Sequence, residues 1–112
     1  MHEHSLAKDI AYLIFDEIKK KKPKKVEKIT IVIGEALGIN KDFFLHSLKE
    51  HSLKNTICEN SQLEIIVEKA KIKCRKCSNI IEEPVMKCIC GSSDFDVFSG
   101  KDVYVREIVV EE

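Results

Sequence analysis

Four cysteines in two close pairs are the feature that most constrains how this chain can fold. Two residues separate Cys74 from Cys77, one residue separates Cys88 from Cys90, and ten residues lie between the two pairs. Two pairs of thiolates are the ligand set that tetrahedral Zn²⁺ prefers, and a closed shell of four leaves no position open for water. Because the segment between the pairs has little apolar content, it needs such a cross-link to fold. The sequence therefore predicts a structural zinc site.

The spacing of the cysteines leaves a disulfide and an iron–sulfur cluster open as alternatives. A disulfide is disfavoured in a reducing compartment, and the opening Met-His-Glu-His-Ser lacks the basic and apolar regions of a secretory signal. No apolar run approaches the roughly 20 residues that a membrane-spanning helix needs. We therefore expect a cytoplasmic protein with reduced cysteines and no membrane contact. Cys58 lies outside the pattern and is expected to be a small hydrophobe, either buried or in a loop.

The rest of the chain has the alternating patterns of an α/β fold. Helical spacing of apolar residues predicts a first helix that Ser5 caps and Pro23 ends, which leaves residues 1–4 as a free arm. The predicted elements are helices over 5–22 and 41–53, the second capped by Asn40, and strands over 26–34, 62–73, 94–98 and 102–110. His46 and His51 are five residues apart, which is poor spacing for two ligands on one helical face, so both are expected on a polar face.

These elements predict a small sheet of about three strands with two helices packed on it, plus a protruding zinc-binding module built on the four paired cysteines. The α/β domain is expected to comprise residues 1–73 and 91–112. The zinc-binding module, residues 74–90, is expected to be inserted between two strands.

The arm itself is a second candidate metal site. Its α-amine has an ordinary pKa of about 7.7–8.0 and is partly deprotonated at neutral pH. The Met1 amine, the His2 amide and the His2 imidazole can close adjacent chelate rings around one metal ion. A fourth nitrogen can come from the Glu3 amide or from another imidazole, for which His4 is a candidate. Square-planar nitrogen coordination suits Ni²⁺ or Cu²⁺, although the spacing alone also fits a frayed terminus.

Charge and composition weigh against other classes of function. The chain has 112 residues, 19 of them basic and 19 acidic, so it offers no general electrostatic attraction for nucleic acid. A zinc hydrolase needs an open coordination position, which four cysteines do not leave. A zinc ribbon that binds nucleic acid or another protein remains the rival hypothesis. Such a ribbon would favour aromatic side chains, and none lies between Cys74 and Cys90.

Several motifs recur in a known order along the whole chain. They are Met1-His2-Glu3-x-Ser5-Leu6-Ala7, Ile33-Gly34-Glu35 after the first strand, the cysteine module with Cys90-Gly91-Ser92, and Ser99-Gly100 before the closing strand. In this respect the sequence resembles the HypA/HybF family of hydrogenase nickel-incorporation proteins. It departs from the family pattern at His4, where an apolar or aromatic residue is usual, and at Cys88-x-Cys90, which replaces C-x-x-C.

The resemblance implies a nickel metallochaperone without catalytic activity. It implies transported Ni(II) on the Met1 amine, the His2 imidazole and the backbone nitrogens of His2 and Glu3, with His4 as a further candidate. It also implies structural zinc on Cys74, Cys77, Cys88 and Cys90. Members of this family work with a HypB-type GTPase and insert nickel into the large subunit of [NiFe]-hydrogenase, and some also supply urease.

Overall fold

The computed structural model describes residues 3–82 and 85–111, so Met1, His2, Glu83, Pro84 and Glu112 lie outside it. Its elements, in chain order, are α1 (Glu3–Lys21), β1 (Lys25–Gly34), a 3-10 turn (Glu35–Leu37), α2 (Lys41–Ser47), a π-helical turn (Leu48–Ser52), β2 (Gln62–Glu68), β3 (Lys71–Cys74), β4 (Ile80–Ile81), β5 (Phe95–Ser99) and β6 (Val103–Glu111). The six strands form two three-stranded sheets. None of the described helices has the length and apolar character that a membrane crossing requires.

The first sheet carries the hydrophobic core. Its order is β2-β1-β6, with β1 parallel to β2 and antiparallel to β6. Because β1 is central, successive residues on both of its faces are buried, which matches its run of β-branched residues. The helix α1 buries positions 7, 10, 11 and 14, the spacing of one helical face, and they join β1, Phe44 and Leu48 in one cluster. The predicted three-stranded sheet with two packed helices is thus confirmed.

The first helix starts earlier than predicted. Residues 3 and 4 are already helical, so Ser5 lies inside α1 and does not cap it, and Glu3 and His4 do not form a free arm. A negative side chain in a first turn complements the helix dipole. The Glu3 carboxylate also accepts a hydrogen bond from the Asn40 backbone N–H at 3.4 Å. These interactions tie the first turn of α1 to the start of α2.

The second helix begins as predicted but changes character before its end. The Asn40 side chain accepts a hydrogen bond from the Phe43 N–H at 2.9 Å, as expected of an N-cap. After Ser47 the α-helix gives way to one π-helical turn, in which the Leu53 N–H donates to the Leu48 carbonyl at 2.8 Å, five residues back. This widening of the helix changes which side chains share a face.

The predicted strand over residues 62–73 is in fact two strands in different sheets. The chain leaves the first sheet at Glu68 and enters the second at Lys71, where β3 is central in the order β4-β3-β5. The break lies where residues 69 and 70 pass against Gly100, so closely that a Cβ on Gly100 would lie 2.6 Å from the Lys69 carbonyl oxygen. This backbone crossing joins the two sheets, and the sequence pattern gave no sign of it.

Two glutamates hold the crossing together. The Glu68 carboxylate accepts hydrogen bonds from the Gly100 N–H at 3.0 Å, the Ser99 hydroxyl at 3.3 Å and the Tyr104 hydroxyl at 3.2 Å. The Glu35 carboxylate accepts one from the Ala70 N–H at 3.0 Å. We call residues 34–35, 68–70 and 99–100 the junction. The motifs Ile33-Gly34-Glu35 and Ser99-Gly100, far apart in sequence, therefore meet in one place.

The molecule is elongated because the second sheet lies beyond the end of the first. Its principal extents are 56 × 25 × 18 Å and its radius of gyration is 17.4 Å, against about 13 Å for a compact domain of similar length. The division of the chain after residue 73 and before residue 91 stays a prediction. The second sheet takes β5 and all of β3 except Cys74 from outside the predicted module, and β4 from within it.

Candidate metal sites

The four paired cysteines converge at one end of the second sheet. All four sulfur atoms lie within 4.8 Å of one another. The Sγ atoms of Cys74 and Cys90 are 3.6 Å apart, and those of Cys77 and Cys88 are 3.5 Å apart. A tetrahedral ion with metal–sulfur bonds of about 2.3 Å places its ligands about 3.8 Å from one another. The donor atoms and their spacing therefore fit a zinc ion.

Two tight turns hold the cysteines in place. In the first, which follows β3, the Ser78 N–H donates to the Cys74 carbonyl at 2.9 Å. In the second, the Gly91 N–H donates to the Cys88 carbonyl at 2.8 Å, and the Cys88 N–H donates to the Ser92 carbonyl at 2.7 Å. The second turn closes with Gly91 at a φ of +91°, a conformation open to glycine. This is how Cys88-x-Cys90, one residue shorter than the first pair, still brings both sulfurs to the cluster.

The surroundings of the cluster favour a thiolate at Cys74. Backbone N–H groups, first that of Cys77 and also that of Lys76, together with the neighbouring thiols, outweigh burial and lower the Cys74 pKa to about 6. At Cys77 the strongest influence, the Asn79 N–H, lowers the pKa, but the neighbouring thiols and burial together raise it to about 12. The same cluster therefore shifts the Cys74 and Cys77 pKa values in opposite directions. A bound cation would displace any proton that its thiol ligands still carry.

An ion pair fixes the first cysteine turn to the neighbouring strand. The Arg75 guanidinium donates to the Asp96 carboxylate, with the Nε atom 2.9 Å from Oδ1, and lies 3.5 Å from Asp94. The Arg75 N–H also donates to the Asp94 carbonyl at 2.9 Å. Exposed ion pairs of this kind contribute little stability, so we assign this one to orientation of the turn. The charge of Arg75, which follows Cys74, is thus paired with acidic side chains.

The fifth cysteine has no part in the cluster. Cys58 is buried in the main hydrophobic core, as expected. Burial raises the pKa of its thiol to about 11, against a smaller lowering by the Thr56 hydroxyl. It therefore stays a neutral thiol at physiological pH and behaves as a small apolar side chain.

The predicted nickel ligands lie partly outside the described residues. Met1 and His2 are not described, so their part of the site stays a prediction. The Glu3 backbone nitrogen lies in the first turn of α1, where N–H groups have no acceptor within the helix. It is therefore not engaged in a helical hydrogen bond that a metal would have to break. His4 is exposed on the same turn.

Three histidines lie together, which the sequence analysis did not predict. The His51 ring meets the His4 ring at a centroid distance of 5.4 Å and the His46 ring at 5.6 Å, both edge to face. His46 and His51 are both exposed, as expected, but their separation by five residues does not keep them apart. The π-helical turn between them adds one residue to the helix, so that positions five apart come onto one face. No sequence signal that we used marks such a turn.

Comparison with known proteins identifies the family. A sequence model described as "Hydrogenase/urease nickel incorporation, metallochaperone, hypA" matches residues 1–110. The chain belongs to the HypA family. The resemblance seen in the sequence motifs is thereby confirmed. Because the match begins at residue 1 and continues past the cysteines, HypA membership covers the arm as well as the module.

Individual relatives agree with this assignment. The chain is 35% identical to the "Hydrogenase maturation factor HypA" of Caldanaerobacter subterraneus subsp. tengcongensis, over 99% of this chain and 100% of the relative. It is also 35% identical to the protein of the same name from Archaeoglobus fulgidus, over 99% of both chains. The fold matches "Solution structure of the Ni metallochaperone HypA from Helicobacter pylori" with a TM-score of 0.74 at 23% identity, over 99% of this chain and 98% of that one.

Proposed function

We propose that this protein is a nickel metallochaperone that binds Ni(II) at its N-terminus and delivers it to the large subunit of [NiFe]-hydrogenase during maturation. The observation that carries the proposal is the family match over residues 1–110, which includes the Met-His-Glu opening. The proposed ligands of Ni(II) are the Met1 amine, the His2 imidazole and the backbone nitrogens of His2 and Glu3, with His4 as a further candidate. The metal is cargo, and the protein has no catalytic activity of its own.

The start of α1 suits this role on physical grounds. A backbone nitrogen that binds Ni²⁺ must first lose its proton, which makes it an anion. Anions near a helix N-terminus are stabilised by roughly 0.3–1 kcal/mol, and Glu3 lies in the first turn of α1. Because the amine and amide must release protons to bind, affinity falls as the pH drops. A site at the chain terminus also gives a receiving protein access to the ion.

The cysteine cluster is proposed as a resident structural zinc site. Cys74, Cys77, Cys88 and Cys90 supply a closed set of four sulfur ligands, whose chemistry is folding and not catalysis. Cys74 belongs to β3, whose neighbour β5 leads directly into the junction at Ser99 and Gly100. We infer that loss of zinc loosens the second sheet, and through the junction alters how the α/β domain meets its partners.

The partners proposed are a HypB-type GTPase and the hydrogenase large subunit, with urease as another recipient in this family. Next to the second cysteine pair, Met86 and Ile89 are 92% and 95% exposed. Exposed large apolar side chains on a protruding element are typical of a contact surface for another protein. The equal numbers of acidic and basic residues give no support to nucleic-acid binding, and we propose a cytoplasmic location without membrane contact.

The metal content of the untagged protein tests the proposal. After exposure to Ni²⁺ and removal of loosely held ions on a desalting column, mass spectrometry should find about one zinc and one nickel per chain. The His2→Ala variant should keep its zinc and its melting temperature but lose the tightly held nickel. The Cys74→Ala variant should lose zinc, while Cys58→Ala, which changes the cysteine outside the cluster, should keep both metals. Zinc alone, with no tight nickel in the unaltered chain, would favour the zinc-ribbon rival.

A further inference from the structure

The three histidines in the described part of the chain lie together. His4, on α1, and His46 and His51, in and after α2, form the chain of ring contacts described above, with His51 in the middle. His2 is two residues before His4 in the sequence, so their Cα atoms are separated by at most about 7.6 Å. The Glu3 backbone nitrogen, a proposed nickel ligand, belongs to the residue directly before His4, so the two positions are adjacent in the chain.

The ring geometry is compatible with a shared metal ion. An imidazole nitrogen binds a first-row ion at about 2.0–2.1 Å, which puts the ring centroid about 3.2 Å from the ion. Two rings on one ion then have centroids about 4.5–6 Å apart, for bond angles between about 90° and 140°. The distances of 5.4 Å and 5.6 Å fall within this range.

The backbone around the rings supports a built arrangement. The π-helical turn brings His46 and His51 onto one face, and such turns occur frequently at functional sites. An open groove of about 470 Å³ lies between α1 and this turn, lined by His4, Lys8, Ala11, Tyr12, Phe15, His51 and Ser52. The groove leaves space for an ion with its remaining water ligands. Because the rings are exposed, they can rotate to complete a coordination shell at little cost.

We propose that His4 and His51 form a second nickel-binding position beside the N-terminal site. Among the described residues only the four paired cysteines bring three or more ligand atoms within 4.8 Å of one another, so His46 is not counted as a ligand. The ion would be held by neutral imidazole nitrogens and water, a ligand set that suits Ni²⁺ and related divalent ions. The choice of nickel as the physiological ion rests on the proposed function, whereas the binding of an ion by these rings does not. Without an amine or amide ligand, this position binds nickel with lower affinity than the N-terminal site.

At such a position nickel can bind weakly before it reaches the N-terminal site, or can stay bound after that site has released its ion. An incoming ion can bind one imidazole after another without waiting for an amide to lose its proton. His4 is the ring that connects the two positions, because it lies two residues from His2 in sequence and 5.4 Å from His51 in space. His4, at which the sequence departs from the family pattern, therefore has a role as a ligand of the second position.

The test uses the zinc-loaded full chain in the His2→Ala background, in which the N-terminal site is disabled. Calorimetric titration with Ni²⁺ alone should show about one weak site per chain. Adding His51→Gln should weaken this binding at least tenfold, because it removes the central ring. Tyr12→Phe lines the same groove and has no nitrogen ligand, so it should leave the affinity unchanged. Melting temperature and zinc content serve as controls for folding in each variant.

A second measurement identifies the ligands directly. In imidazole ¹H–¹⁵N spectra of the same background, substoichiometric Ni²⁺ should broaden the ring signals of His51 and His4 first. No saturable nickel binding in the His2→Ala background would overturn the proposal, as would binding that His51→Gln leaves intact. These outcomes are independent of the test of the main function. That test asks whether the unaltered chain holds one tight nickel that His2→Ala removes.

Discussion

Substitution of three glycines by alanine tests the account of the junction. At Gly34 the φ and ψ angles are −69° and 129°, which alanine adopts readily, but a Cβ would overlap the Gly100 carbonyl and lie 2.6 Å from the Lys101 nitrogen. At Gly100 a Cβ would lie 2.6 Å from the Lys69 carbonyl oxygen, and φ is +69°. At Gly38 φ is +62°, yet nothing lies within 4 Å of a Cβ. The three sites therefore separate steric overlap from backbone strain.

The expected losses in the free energy of unfolding follow from these geometries. Gly38→Ala should cost about 1 kcal/mol, the low end of the penalty for a left-handed alanine. Gly34→Ala should cost about 2–4 kcal/mol, because relief of the overlap strains the hydrogen bonds from the Gly34 N–H to Asp102 and from the Ala36 N–H to Gly100. Gly100→Ala combines both effects and should cost about 3–5 kcal/mol. Domains of this size have only about 5–15 kcal/mol of total stability.

Urea unfolding of the zinc-saturated variants, followed by far-ultraviolet circular dichroism, measures these differences as shifts in midpoint at constant slope. The melting temperature should fall by about 4 °C for each kcal/mol. The essential result is the order, with Gly100→Ala the most destabilised and Gly38→Ala the least. A Gly34→Ala protein as stable as Gly38→Ala would refute the close approach of the two backbones. Equal loss at Gly38 and Gly100 would mean that strain alone matters.

Three further predictions concern the cysteine cluster, the core and the junction. Cys74→Ala should abolish zinc binding and lower the melting temperature well below that of Cys58→Ala, as measured by metal analysis and calorimetry. The raised Cys58 pKa, about 11 against an ordinary 9.0, gives stability that is fully present below pH 9 and is lost as the pH rises toward 11. The unaltered chain should lose about 1 kcal/mol per pH unit there relative to Cys58→Ala, and parallel pH profiles would contradict this. Glu68→Gln should lower the free energy of unfolding by about 1–3 kcal/mol, because a charged acceptor of three hydrogen bonds becomes neutral. The control Glu64→Gln, at an exposed position on the same strand, should lower it by less than about 1 kcal/mol in the same urea assay.

The parts of the fold that rest on local patterns were predictable. The helical spacing of Ile10 and Ile14, the β-branched run of β1 and the cap at Asn40 each report on their immediate neighbours, and all three are observed. The convergence of the four paired cysteines was likewise predictable, because residues that share a tight turn are close in sequence. Cys58, outside that pattern, was expected to be a small hydrophobe, either buried or in a loop, and it lies in the core.

The parts that depend on contacts distant in sequence were not predictable in this way. Nothing in residues 62–73 shows that the strand must break, because the cause is Gly100, which lies far along the chain. The start of α1 was misplaced because Ser5 is a good cap in isolation. The hydrogen bond that ties Glu3 to Asn40 comes from another helix. A prediction from local propensity cannot include a contact with a residue far along the chain, such as Gly100 for the strand or Asn40 for the helix.

The contact between the histidines could not be predicted from local spacing either, because it depends on the π-helical turn and on the early start of α1. Counting residues on an ideal helix separates His46 from His51, but one additional residue in the π-helical turn restores their common face. That face is opposite the first turn of α1, where the helix begins early enough to include Glu3 and His4. Residues 7, 10 and 14 of α1 and Leu48 at the start of the π-helical turn are buried in one core cluster. The core therefore sets the distance between His4 and His51, so packing far from any metal determines whether the two rings can share an ion.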